Sequence, residues 1–159
     1  RINHFNHPIE GYYYLKELGY EDIARYSLTH SFLNNNIKLT VGNGPQDTES
    51  YNFINDYLNS IPKDIYDNIL HLCDLMCLET GFTTIEKRIL DVITRKGIGE
   101  NAYKHYTSLI DFRSWLEREI KKDLYDLFPE ISKNDIANEL LNKSILITMI
   151  KPKNLSKKK

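Results

Sequence analysis

Helix starts and stops punctuate this chain from end to end, and the alternation that marks strands is nearly absent. Pro8 suits a first helical turn and Gly19 the residue just past a helix end, which predicts a helix from Pro8 to Leu18. Glu21 and Asp22 are favourably placed at the positive end of a second helix, Glu21 to Phe32. Asn34-Asn35-Asn36 through Gly42-Asn43-Gly44-Pro45 reads as a loop. Within it Ile37, Leu39 and Val41 alternate, but one short alternating run cannot build a sheet. A third helix is expected from Asp47 to Asn59. A fourth opens at Ser60-Ile61-Pro62 and runs to Leu78, with Ile65, Ile69, Leu72, Cys73 and Met76 at helical spacing.

Thr83-Thr84-Ile85-Glu86 has the form of a capping box, with the Thr83 hydroxyl accepting from the Glu86 N–H and Glu86 reaching back. That helix should end at Gly97. A long helix from Asn101 to Leu127 stops before Pro129. Ser132 to Asp135 caps a last helix to Lys143, and apolar Ile145 to Ile150 would pack back on the body. The fold class that follows is all-α, a helical bundle with a C-terminal helical extension. The organisation expected is a helical core over 1–97, a C-terminal lobe over 98–150 and a basic, frayed tail over 151–159.

Composition narrows the function. With 159 residues, 41% of them apolar, the chain can bury a real core without disulfides. A formal net charge of -1 gives no case for nucleic acid or an acidic membrane as the main partner. No apolar run is long enough for a transmembrane helix, and the expected location is cytoplasmic. Cys73 and Cys77 lie four apart, on one face of a continuous helix, where a disulfide seldom fits; they read as two buried thiols in a reducing compartment. The eleven tyrosines are packing residues at the core edge more than a base-binding box. Of Tyr12-Tyr13-Tyr14, at least one should be exposed.

Five histidines carry the chemistry. His7 begins the first helix and His30 falls near the end of the second. In an antiparallel hairpin those two ends are neighbours, so both imidazoles can converge on one ion. Two unrelated histidines at helix ends are the plainer alternative. Asp74 lies in the apolar stretch Leu70-His71-Leu72-Cys73-Asp74-Leu75-Met76-Cys77. At least partial burial is therefore expected of it, and a buried carboxylate is paired, hydrogen-bonded or metal-bound. His71, one turn before Asp74, can orient it or meet a phosphate, although a partly exposed helix histidine is the plainer reading. Arg25, Lys87 and Arg88 are weaker candidates for a substrate phosphate, and for Arg25 a surface salt bridge is the plainer role. His4 can substitute for His7. His105 reads as an exposed helix residue.

His7-Pro8-Ile9-Glu10-Gly11, then Leu15 to Tyr20, Ile23-Ala24-Arg25 and Leu28-Thr29-His30-Ser31-Phe32, resembles the central segment of the bacterial HD-domain metal-dependent phosphohydrolases. Leu72-Cys73-Asp74, Gly81-Phe82 and Ile85-Glu86-Lys87-Arg88 resemble the last-ligand helix of the same family and the element after it. The resemblance implies an HD-domain-like helical bundle. Its metal would be held by His7 and His30, as the intervening histidines of binuclear members, and by Asp74 as the late aspartate. The family's adjacent His-Asp ligand pair has no counterpart here, since the chain contains no His-Asp dipeptide. Those ligands are expected upstream of Arg1.

The activity implied is hydrolysis of a phosphomonoester or nucleotide phosphate by metal-activated water, with Asp74 and His30 as catalytic metal ligands. The ligand types favour Mn, Fe, Co, Ni or Zn, one or two ions, with Mg compatible. Two other readings stand beside it. One is a non-catalytic helical interaction or regulatory module that kept the hairpin. The other is a redox or metal-sensing bundle using the histidines with Cys73 and Cys77. Homodimerisation through the long helix is compatible with the sequence and not required by it.

Overall fold

The computed structural model describes residues 7–40, 47–131 and 138–152. Among them the chain is all-α apart from one small hairpin. Helices α1 (His7–Glu17), α2 (Glu21–Thr29), α3 (Thr48–Ser60) and α4 (Ile65–Asp74) are followed by strands β1 (Cys77–Leu78) and β2 (Gly81–Phe82). Helices α5 (Ile85–Lys96), α6 (Ala102–Ile120) and α7 (Glu139–Ile150) complete the fold. No helix among the described residues is long and apolar enough to cross a membrane.

Local chemistry fixes the helix ends. After α1, the Gly19 N–H bonds the Lys16 carbonyl and the Tyr20 N–H bonds the Leu15 carbonyl, both at 2.9 Å. This is a Schellman closure, and it needs the left-handed φ of +81° that glycine adopts freely. Asp47 caps α3 by accepting from the Ser50 N–H at 2.7 Å, and Asp64 caps α4 through the Tyr66 N–H at 2.9 Å.

Several helix bounds differ from the sequence reading. The second helix ends at Thr29, because the chain turns into a 3-10 segment, Leu33–Asn35, where Asn34 and Asn35 take positive φ. The fourth helix is shorter at both ends: Asp64 starts it, and after Asp74 the chain turns back through β1 and β2, which pair Cys77 with Phe82 and Leu78 with Gly81. The capping box is displaced by one residue. Thr84, not Thr83, caps α5 by accepting from the Lys87 N–H, and the Thr83 hydroxyl is buried without a partner. Freed from the cap, the buried Glu86 carboxylate accepts from the Tyr125 hydroxyl at 2.9 Å and the Tyr106 hydroxyl at 3.4 Å. The long helix stops at Ile120, where Lys121 takes a left-handed φ of +54°. The expected start of the last helix at Ser132 lies outside the described residues. The run Ile145–Ile150 does not fold back separately; it is the second half of α7 and buries Leu146 and Ile150.

Two apolar clusters hold these elements. The smaller joins Leu28, Phe32, Ile37, Ile54 and Leu58, and so packs α2 on α3. The larger includes Leu72, Leu75 and Met76, then Ile85, Ile89 and Ile93 of α5, then Tyr106, Leu109, Leu146 and Ile150, drawing on both sides of Gly97. Arg113 braces the far end of this cluster. Its guanidinium lies 4.0 Å from the Tyr125 ring centroid and bonds Glu117 at 2.8 Å and Glu139 at 3.4 Å.

Candidate active site

The α1–α2 hairpin sets the site. Gly11 lies one turn after His7, and a methyl group at Gly11 would come 2.2 Å from the Ser27 hydroxyl oxygen. The missing side chain lets the two helices approach closely here. That approach carries His7, at the start of α1, to His30, which caps the end of α2. Their Nε2 atoms are 3.2 Å apart, with the rings inclined at 57°. The expected convergence of these two side chains is therefore present.

Hydrogen bonding assigns the His30 tautomer. Its Nδ1 lies 2.8 Å from the Ser27 carbonyl oxygen, which can only accept, so Nδ1 carries the proton. The Nε2 lone pair of His30 then points toward His7 and the Ser31 hydroxyl, which is 3.2 Å away. Two imidazole nitrogens bound tetrahedrally to one ion at ~2.0–2.1 Å stand roughly 3.3 Å from each other. The observed separation fits two neighbouring ligand positions on one ion. It also fits a direct N–H···N bond from His7 to His30.

His7 lies on a cleft of about 430 Å³ whose walls include Ser31, Phe32, His71, Asp74, Leu78 and Arg88. Asp74 ends α4 and is exposed, which corrects the expectation of burial: the apolar stripe of α4 turns Leu72 inward and leaves Asp74 at the rim. It borders the cleft on one side and, with His30, Leu15, Ile23 and Leu70, an open apolar groove on the other. Among the described residues, no group of three His, Cys, Asp or Glu side chains is placed to hold a metal ion. Among the described residues the buried carboxylates are Asp67, which carries no local sequence signal, and Glu86, which the sequence pattern placed in a helix cap; each is 1% exposed.

The other candidates separate clearly. Arg25 does not line the cleft; it bonds Asp67 at 2.6 Å and the Pro62 carbonyl at 2.8 Å. Asp67 is held further by the Thr29 hydroxyl at 2.7 Å. The Arg25 partner is thus a buried carboxylate that ties α2 to α4. Arg88 lines the cleft, and Lys87, on the next helical direction, does not. Cys73 and Cys77 are both free and half-buried, and they do not share a helix face because Cys77 has left α4 for β1.

His71 and His105 correct the sequence reading most. Neither is solvent-exposed: His71 is 3% and His105 1% accessible. The His71 Nδ1–H donates to the His30 carbonyl at 2.5 Å, so its Nε2 accepts from the His105 Nε2–H at 2.8 Å. Burial depresses His71 to about 4 and holds His105 well below its ordinary range, so both are neutral at pH 7. With its lone pair spent on His105, His71 braces the end of α2. The signal for His105 was present, since it lies on the buried α6 stripe of Ala102, Tyr106 and Leu109. Arg95 and Lys96 also line the cleft, and they too went unmarked.

No protein-family model, no curated protein and no solved structure matches the chain.

Proposed function

We propose that this chain carries the helical core of a metal-dependent phosphohydrolase, acting on a phosphomonoester or nucleotide phosphate at the cleft between α1–α2, α4 and α5. The observation that carries the reading is the approach of His7 Nε2 to His30 Nε2 at 3.2 Å, beside a cleft that also has a carboxylate, Asp74, on its rim. His7 and His30 would supply two nitrogen donors to a divalent transition metal, and Asp74 the oxygen donor. Bound there, such an ion polarises phosphoryl oxygens and brings the pKa of a coordinated water toward neutrality. The chain's own part is positional. The Ser27 carbonyl fixes the His30 tautomer, and His71 grips the His30 backbone carbonyl, so the imidazole arrives with its lone pair already aimed.

Metal analysis of the purified chain, with a His30→Ala variant and turnover of a generic phosphomonoester, tests this reading. Near-stoichiometric metal in the parent, lost in the variant, with turnover that follows the metal, is the expected result. Metal-free protein after exposure to Mn, Co and Zn, with no turnover, would sink it.

A second reading has its own observation. The shortfall of a third ligand among the described residues, together with the direct His7–His30 contact, suits a non-catalytic helical module in which the pair is a hydrogen bond. Such a module would bind no metal and would lose only stability on His30→Ala.

A further inference from the structure

Helix α5 turns Arg88, Val92, Arg95 and Lys96 toward the cleft, positions spaced one, then just under two, then just over two turns from Arg88. Three cationic side chains of one helix thus line the cleft that His7 and Asp74 also border. The two arginines are held by one carboxylate. Asp91 accepts from Arg88 Nη1 at 3.0 Å, and from Arg95 Nε at 3.1 Å and Nη2 at 2.6 Å. Sharing one carboxylate fixes both guanidinium planes without using up their donors. The Nε–H of Arg88 is buried and has no hydrogen-bond partner. A buried charged donor left unmatched is costly, so the guanidinium head of Arg88 is held with bonding capacity to spare beside the cleft that it lines. The three cations also act on each other. Burial depresses the Lys96 ammonium, and the nearby charges of Arg95 and Arg88 depress it further against the pull of Asp74 and Asp91.

We propose that Arg88, Arg95 and Lys96 form an oxyanion subsite for the phosphate group of a small phosphorylated molecule. Planar guanidinium donors suit phosphate oxygens in paired bonds, and the lysine adjacent to Arg95 adds a point charge. The rest of the molecule would lie along the apolar lining of the same cleft, Leu75, Leu78 and Val92. A cleft of about 430 Å³ is in the range of sites for small organic ligands. Asp74 and Glu79 also line the cleft, and their charges act on Lys96 and Arg95; they would repel a second anionic group, which favours a ligand with one phosphate over an extended polyanion. This subsite deepens the phosphohydrolase reading by naming what holds the substrate, but its cations need no metal to bind an anion.

The test is therefore run on the full chain in excess chelator, by calorimetric titration with inorganic phosphate and with phenyl phosphate. Saturable binding of either probe is expected, weakened about tenfold by Arg95→Gln and further by Arg95→Gln with Lys96→Gln, and unchanged by Lys104→Gln, an exposed α6 lysine that does not line the cleft. Arg95 is half exposed, so these variants should keep the fold, which far-ultraviolet circular dichroism checks. Phenyl phosphate binding more tightly than phosphate would support an ester ligand lying on the apolar lining; equal affinity would support free phosphate as the ligand of the same cations. Absence of binding by both probes, or binding that Arg95→Gln leaves untouched, would overturn the subsite. Because no metal is present, these results stand apart from success or failure of the His7–His30 metal reading.

Discussion

Among the described residues two histidine pairs are joined nitrogen to nitrogen, and solvent makes them different objects. His7 and His30 meet at 3.2 Å on the edge of a cleft, where His7 is exposed. His71 and His105 meet at 2.8 Å inside the body, where neither is more than 3% exposed. In the buried pair every proton position is set by one chain of bonds, from His105 through His71 to the His30 carbonyl. In the outer pair the His30 lone pair faces a neighbour that water or an ion can displace. The same side chain is thus a brace in one place and a candidate ligand in the other, and the two places are linked through one backbone carbonyl.

The largest effect should come from breaking the inner pair. His105→Ala would leave a buried acceptor on His71 unmatched and open a cavity, a combined cost of about 3 kcal/mol or more. His7→Ala, at an exposed ring, should cost well under 1 kcal/mol. Urea unfolding of both variants measures the difference, and equal losses would remove the contrast.

Acid should act on the inner pair in the same direction. The folded-state value of His71 is about 4 and its ordinary value is 6.5, so between these the unfolded chain binds the extra proton. Stability from this residue is complete above pH 6.5 and is lost as pH falls toward 4. The loss is on the order of 3 kcal/mol for His71, and His105 adds to it. A urea midpoint measured at pH 7, 5.5 and 4 should fall steeply in the parent. In a His71→Phe, His105→Leu double variant the slope over the same range should be shallower.

These contrasts also show what the sequence could and could not reveal. Gly19 and Gly97 marked helix ends because only their backbone chemistry was needed, and hairpin logic brought His7 to His30 for the same reason. Burial was the harder quantity. The rule that a buried carboxylate must be partnered holds, but it applies to Asp67, held by Arg25 and Thr29, and to Glu86, held by two tyrosines, while Asp74 stands at the rim. Those partners come from 20 to 42 residues away, and no local pattern announces them. His105 was different, since its place on the α6 apolar stripe was readable. Arg95 and Lys96 shared a helix face with Arg88, and only the position of the cleft made that face matter.

A smaller effect probes how closely the outer pair is held. Gly11→Ala should gain about 1 kcal/mol from helix propensity, but its methyl group would collide with the Ser27 hydroxyl. In the parent background the change should be neutral or destabilising. In a Ser27→Ala background, where that oxygen is gone, it should stabilise by about 1 kcal/mol. A double-mutant cycle by chemical denaturation reads the sign, and additivity would mean that the hairpin is not tight at this point.

The most direct test of the two-pair account is a zinc titration followed by nitrogen-15 correlation spectra of the imidazole rings. The account predicts that the Nε2 signals of His7 and His30 move together and saturate near one equivalent, while those of His71 and His105 keep their neutral tautomers unchanged. Zinc that shifts the inner pair, or leaves the outer pair unmoved, would contradict it.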